Sequence, residues 1–81
     1  MKVFITPEAQ GQLKKLFTQD QNKVSKKLVL LAQDPLSGKK LTGQFRGKRS
    51  LKAWPYRIIY SINAQKELWV ESVLHRQGAY K

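Results

Sequence analysis

Apolar positions in this chain follow one period before Gly38 and another after Gly47. Val3-Phe4-Ile5 opens as a short strand of branched and aromatic residues. Thr6-Pro7-Glu8 then carries the marks of a helix start: a capping hydroxyl, proline in the first turn and an acid near the positive end of the dipole. Ala9, Leu13, Leu16 and Phe17 lay one apolar stripe along that first helix, which Gly11 weakens without ending. Asp20 is placed to cap a second helix. Its stripe is Val24, Leu28, Leu31 and Ala32, and Lys23, Lys26 and Lys27 line its wet side. Pro35 and Gly38 close the helical part. So short a link between the helices predicts an antiparallel hairpin, most simply a scaffold covering a sheet.

After Gly47 the pattern becomes strand-like. Lys48 to Trp54, Tyr56 to Ile62 and Leu68 to Leu74 are three candidate strands, separated by Pro55 and by the turn residues Asn63-Ala64-Gln65-Lys66. In the middle strand Tyr56, Ile58, Tyr60 and Ile62 share a face toward the helices, which leaves Arg57, Ile59 and Ser61 on the open face. The third strand is apolar on both faces, so its register is not readable from pattern. The expected fold is a single α+β domain spanning 1–81, ordered β-α-α-β-β-β. It has an antiparallel sheet with a helical hairpin on one face, and its amino-terminal strand joins an edge.

Charge changes the picture of that open face. Lys39, Lys40, Arg46, Lys48, Arg49, Lys52 and Arg57 fall in one stretch without an acid, interleaved with Phe45, Trp54 and Tyr56. Like charges crowded together repel, so a one-sided block inside a folded segment implies a polyanionic partner. Cations for phosphate and rings for bases are the ingredients of single-strand recognition. Of the net charge of +11, residues 1–38 hold +3 and residues 39–81 hold +8. The alternative for Arg57 is a structural ion pair with Glu67 or Glu71. Without cysteine, and with His75 the only histidine, neither thiol chemistry nor a histidine-rich metal site is expected. No apolar run approaches the ~20 residues of a membrane span, and the first residues do not form a secretion signal, so a cytoplasmic protein with no membrane partner is expected.

The carboxyl-terminal half carries a more specific pattern. Pro35-Leu36-Ser37-Gly38-Lys39-Lys40-Leu41 leads into Gly47-Lys48-Arg49-Ser50-Leu51-Lys52-Ala53-Trp54-Pro55-Tyr56-Arg57-Ile58-Ile59-Tyr60, and later into Val73-Leu74-His75-Arg76-Gln77-Gly78-Ala79-Tyr80. In spacing and element order this resembles the RelE/ParE toxins of type II toxin–antitoxin systems. The resemblance implies a RelE-like ribosome-dependent endoribonuclease, which cuts messenger RNA in the decoding site without metal or other cofactor. The ribose 2′-hydroxyl would be driven onto the adjacent phosphate. It also implies two partners, an acidic antitoxin and the ribosome with its message.

Residue by residue, the resemblance assigns Arg57 to the scissile phosphate and Arg76 to the transition state or leaving group. Tyr80 is assigned to orienting a base, and Lys48 and Lys52 to proton transfer and phosphate binding. Ser50 stands where one of two alternating lysines is expected, which leaves Lys48, Lys52 and His75 as candidates for the general base. Lys39, Lys40, Arg46 and Arg49 are candidates for nucleic-acid contact, and Trp54 and Trp69 for packing or antitoxin contact. The same fold also serves ParE-type poisons of DNA gyrase, so that activity stays open. So do a nucleic-acid-binding module without chemistry and a degenerate toxin that still binds its antitoxin.

Overall fold

Thr6 starts the first helix by the mechanism its sequence suggests. Its Oγ1 accepts from the Ala9 N–H at 3.2 Å and donates to the Glu71 carbonyl at 3.1 Å, which ties the cap to the sheet. The computed structural model describes residues 1–76. Along them run β1 (Val3–Ile5), α1 (Pro7–Lys14), α2 (Thr18–Gln33), β2 (Lys39–Lys40), a 3-10 turn (Gly43–Phe45), β3 (Arg49–Ala53), β4 (Tyr56–Ile62) and β5 (Leu68–His75). No helix among the described residues is long and apolar enough to cross a membrane.

The two helices form the expected hairpin, with a tighter corner than the apolar stripe suggested. Helix α1 ends at Lys14, and α2 is entered through Phe17, whose side chain is 85% exposed rather than part of the stripe. Asp20 does not cap α2 either. It stands in the first turn, where its carboxylate favours the dipole and accepts the Tyr56 hydroxyl at 3.1 Å. The corner is held by Gln21, whose Nε2 donates to the carbonyls of Leu13 and Leu16 at 3.0 Å each. The Leu13 carbonyl lies in the last turn of α1 and also accepts the Leu16 N–H at 3.1 Å, while Leu16 lies just past the helix end.

The strands form one sheet in the order β1-β5-β4-β3-β2. β2, β3, β4 and β5 pair antiparallel, while β1 lies parallel to β5 at the edge, so the sheet is mixed rather than wholly antiparallel. The α+β class and the helix-covered face stand as expected. β2 adds an edge strand that no apolar pattern announces, since both its residues are lysines. The core lies between hairpin and sheet: Ala9, Val24 and Leu31 pack against Ala53, Ile58, Tyr60, Leu68, Val70 and Val73. Tyr60 is fully buried there. Its hydroxyl donates to the Pro35 carbonyl at 2.8 Å and accepts the Gly38 N–H at 2.9 Å, which pins the chain between α2 and β2 to the middle of the sheet.

Candidate functional site

Strand alternation divides the basic stretch between the two faces of the sheet. Register pairs Lys52 with Arg57 and Ser50 with Ile59 across β3 and β4, and Leu74 and Ser72 continue the same rows on β5. These residues lie opposite the face that carries Ile58 and Tyr60 into the core. Ser50 and Ile59 are nonetheless buried, and Ser72 Oγ donates to Glu8 Oε2 of α1 at 2.7 Å, so this face is open only in part. Lys52 is exposed and Arg57 half-buried beside it. Directly opposed residues of an antiparallel pair stand about 4.5–5.5 Å apart at Cβ. Two cations held that close repel each other, and they form a favourable arrangement when an anion lies between them.

Lys48 joins this face one row further along, where its Nζ lies 2.7 Å from Glu71 Oε1. Ser61 also bonds the Glu71 carboxylate. Burial pushes that carboxyl up, yet the bonds from Lys48 and Ser61 and the Lys48 charge outweigh it, and the pKa lies below the usual carboxylate value. The four residues Lys48, Ser61, Trp69 and Glu71 line an open cleft of about 470 Å³, completed by Thr6, Glu8 and Ser72. Phe4 stacks on Trp69 with ring centroids 4.8 Å apart, so this tryptophan packs against the edge strand.

Other residues of the sequence-derived set fall elsewhere. Arg49 occupies the helix-side row with Tyr60, and its Nη1 donates to the Gly38 carbonyl at 2.9 Å. It is a structural cation in this fold. Lys40 pairs with Arg49 on β2, whereas Lys39 pairs with Ser50 in an open-face row, both exposed. Arg46 is exposed just after the 3-10 turn. His75 is opposed to Tyr56 on the helix-side row, with its ring edge-on at 5.6 Å, and the body of the sheet separates it from Lys52 and Arg57. Arg76 leaves the end of β5. Its guanidinium lies 5.0 Å from the ring centroid of Trp54, and its backbone N–H donates to the Pro55 carbonyl at 2.8 Å. Tyr80 lies outside the described residues.

The structure therefore brings Lys48, Lys52 and Arg57 together on one face, places Arg76 at the end of the sheet, and puts Arg49 and His75 on the other side. Among the described residues no group of three His, Asp or Glu could hold a metal ion. A site of this kind can bind phosphates and stabilise charge that grows on them.

The sequence matches, over residues 3–80, the family model described as the ParE toxin of the type II toxin–antitoxin system, parDE. The chain belongs to the ParE toxin family. No curated protein sequence matches it. Among solved structures, this ParE-family chain is similar to the toxin–antitoxin complex RelBE2 from Mycobacterium tuberculosis. The two are 28% identical over 93% of this chain and 96% of that one, with a TM-score of 0.84. The archaeal RelE–RelB complex from Pyrococcus horikoshii aligns at 22% identity and a TM-score of 0.79, covering 96% and 97% of the two chains. YafQ from Escherichia coli does so at 18% and 0.81, covering 99% and 98%. The last two likenesses speak to the fold. The chain is thus a type II toxin with the ParE-family architecture.

Sequence reasoning treated Glu71 only as a possible ion-pair partner of Arg57, and it missed the place of Glu71 in the basic face. The reason lies in the ladder. Ile59 pairs with Ser72 but Tyr60 pairs with Val70, so Glu71 is the extra residue of a bulge. Unbroken alternation from Ser72 would turn Glu71 toward the helices, whereas the bulge brings it to Lys48 and Ser61. A lone acid in the run Leu68 to Leu74, apolar but for Glu71 and Ser72, was the one signal available.

Proposed function

We propose that this toxin is a ribosome-dependent endoribonuclease that cuts messenger RNA, and that an acidic antitoxin neutralises it. The observation that carries the reading is the juxtaposition of Lys52 and Arg57 across β3 and β4, with Lys48 two rows along, on the sheet face opposite the helix-packed core. In the reaction a bond forms from the ribose 2′-oxygen to phosphorus while the bond to the 5′-oxygen breaks. The products are a 2′,3′-cyclic phosphate and a 5′-hydroxyl. Lys52 and Arg57 would offset the charge on the crowded phosphorane, a contribution worth about 10²–10³ in rate for one well-placed donor.

The open face as described offers cations rather than an acid–base pair poised near neutrality, since lysine and arginine are normally protonated. Cleavage must therefore depend on holding the 2′-oxygen, phosphorus and leaving oxygen in line, which contributes about 7–11 kcal/mol when a rigid scaffold supplies it. A shallow sheet face does not impose such alignment on a flexible strand, and a ribosome holding the codon does. The comparison that tests this is primer extension on one transcript, with and without programmed ribosomes, at equal toxin concentration. Cuts phased to the ribosome are expected, with negligible cutting of naked RNA. Equal rates in the two tubes overturn the mechanism.

The match to the ParE model favours a second reading, a gyrase poison. It predicts intact transcripts and gyrase–DNA adducts in the same cells. For the antitoxin, support comes from a cleft of about 330 Å³ beside α2. There Leu30, Ala53 and Trp54 offer apolar surface, and Lys23, Lys26 and Lys27 supply charge. An acidic amphipathic segment that folds on binding fits both features. Apolar anchors should dominate its affinity, so the complex is expected to survive about 1 M salt, where the Debye length falls to ~3 Å.

A further inference from the structure

The basic face contains its own carboxylate, and the fold takes a specific measure to put it there. Lys48 Nζ and Glu71 Oε1 are 2.7 Å apart, at the short end for a charge-assisted bond, and both side chains are partly exposed, at 37% and 26%. Ser61, on the neighbouring strand, bonds the same carboxylate. The bulge between Ser72 and Val70 is what aims Glu71 at this face, and the Thr6 hydroxyl donates to the carbonyl of that very residue. Glu71 is therefore fixed by its backbone on one side and by two side chains on the other. A planar anion that accepts from a lysine and a serine on a phosphate-binding surface occupies the place a phosphate oxygen would take.

We infer that Glu71 is an internal phosphate mimic: it latches Lys48 across the open face, and an incoming RNA phosphate must displace it to engage that lysine. Glu71 is in this sense a positioning residue that acts through Lys48, and it sets which cations meet the strand first. Exposed Lys52 meets it with the latch closed, and Lys48 joins only when the latch opens. The latch also opposes indiscriminate binding, because a carboxylate beside the track repels any phosphate that does not bring other contacts with it.

This inference rests on the reading of the open face as an RNA surface, and its test separates the two. Binding of a labelled 12-nucleotide single-stranded RNA is measured by anisotropy over a salt series, for wild type, Lys52→Ala, Glu71→Gln, Lys48→Met and the Glu71→Gln/Lys48→Met double variant. Glu71→Gln keeps the shape and the bond from Ser61 but removes the charge. It should tighten binding about 3–10-fold at low salt and steepen the logarithmic salt slope by about 0.7, the increment for one more phosphate contact on a single strand. Lys48→Met should cost less in wild type than in the Glu71→Gln background, where it should cancel the gain. A thermal melt of each variant shows that the comparison is between folded proteins, and the Lys48→Met measurement in wild type stands even if Glu71→Gln misfolds. There, a loss of slope as large as that of Lys52→Ala means Lys48 already meets phosphate, and the latch is overturned. An unchanged affinity in Glu71→Gln, or equal effects of Lys48→Met in both backgrounds, overturns it as well. Absence of salt-dependent binding by wild type would instead remove the RNA reading of the face itself.

Discussion

Arg49 and Arg57 stand eight positions apart in the same basic stretch, and their substitution should have opposite consequences. Arg49 donates to the Gly38 carbonyl from a half-buried position on the helix side. Arg49→Ala should lower stability by about 1–3 kcal/mol, in the range for a bond from a charged donor to a group left partly buried, with cleavage per folded molecule nearly unchanged. Arg57→Ala should cost about 1 kcal/mol or less in stability and about 10²–10³ in cleavage rate with programmed ribosomes. Urea melts beside primer extension read both quantities, and a melted Arg57 variant or a silent Arg49 variant would contradict the division of faces. Gly38 is tested in the same melts. A Cβ there would stand 2.7 Å from Tyr60 Cε1 and 2.9 Å from Cζ, inside the ring's contact distance, so Gly38→Ala should cost about 1–3 kcal/mol. Tyr60→Phe should cost a similar amount by stranding the Gly38 N–H and the Pro35 carbonyl. The two are neighbours, so their effects should not add.

Among the elements, legibility followed the strength of the local pattern. β4 runs from Tyr56 to Ile62 as alternation in the sequence indicates, although its middle residues Ile58, Ile59 and Tyr60 are buried on both faces. β5 resisted the same reading for two reasons. It is an interior strand between β1 and β4, and the bulge at Glu71 breaks the alternation within it. The corner between the helices was misjudged because Leu16 and Phe17 continue an apolar period past the point where the backbone leaves α1. The site was legible as a run of charge and not as a surface: nothing in one dimension shows that Arg49 and His75 stand in the helix-side rows while Lys52 and Arg57 stand in the opposite one. Thr6 joins two elements, as cap of α1 and donor to the β5 bulge. Thr6→Ala should therefore cost about 1–2 kcal/mol, more than an isolated cap, and Thr6→Ser should recover most of it. A loss of only a few tenths in the melt would mean that the tie to β5 contributes nothing.

For the whole molecule, charge sets the pH window in which the fold persists. Glu71 has its carboxyl pKa lowered in the folded state, since the bonds from Lys48 and Ser61 and the Lys48 charge overcome the effect of burial. The stability it contributes is fully present above the unfolded pKa, about 4.3, and is lost as pH falls through the lower folded value. Protonation of all five acids also leaves sixteen Lys and Arg unopposed, so repulsion grows over the same range. At the other end Tyr60 is raised, first by burial and then by Asp34, against the Gly38 N–H and Arg49, which lower it. Tyr56 is raised by burial, by its bond to Asp20 and by the charge there. A raised tyrosine contributes stability that is whole below the unfolded pKa, about 10, and that disappears as pH climbs through the folded value. Urea midpoints should therefore be level from about pH 5 to pH 9 and fall on both sides. Glu71→Gln should flatten the acid limb, and Tyr60→Phe should flatten the alkaline limb while lowering the plateau. An acid limb that keeps its full slope in Glu71→Gln would assign it to general repulsion, and the ion pair with Lys48 would then be a contact that contributes nothing to folding.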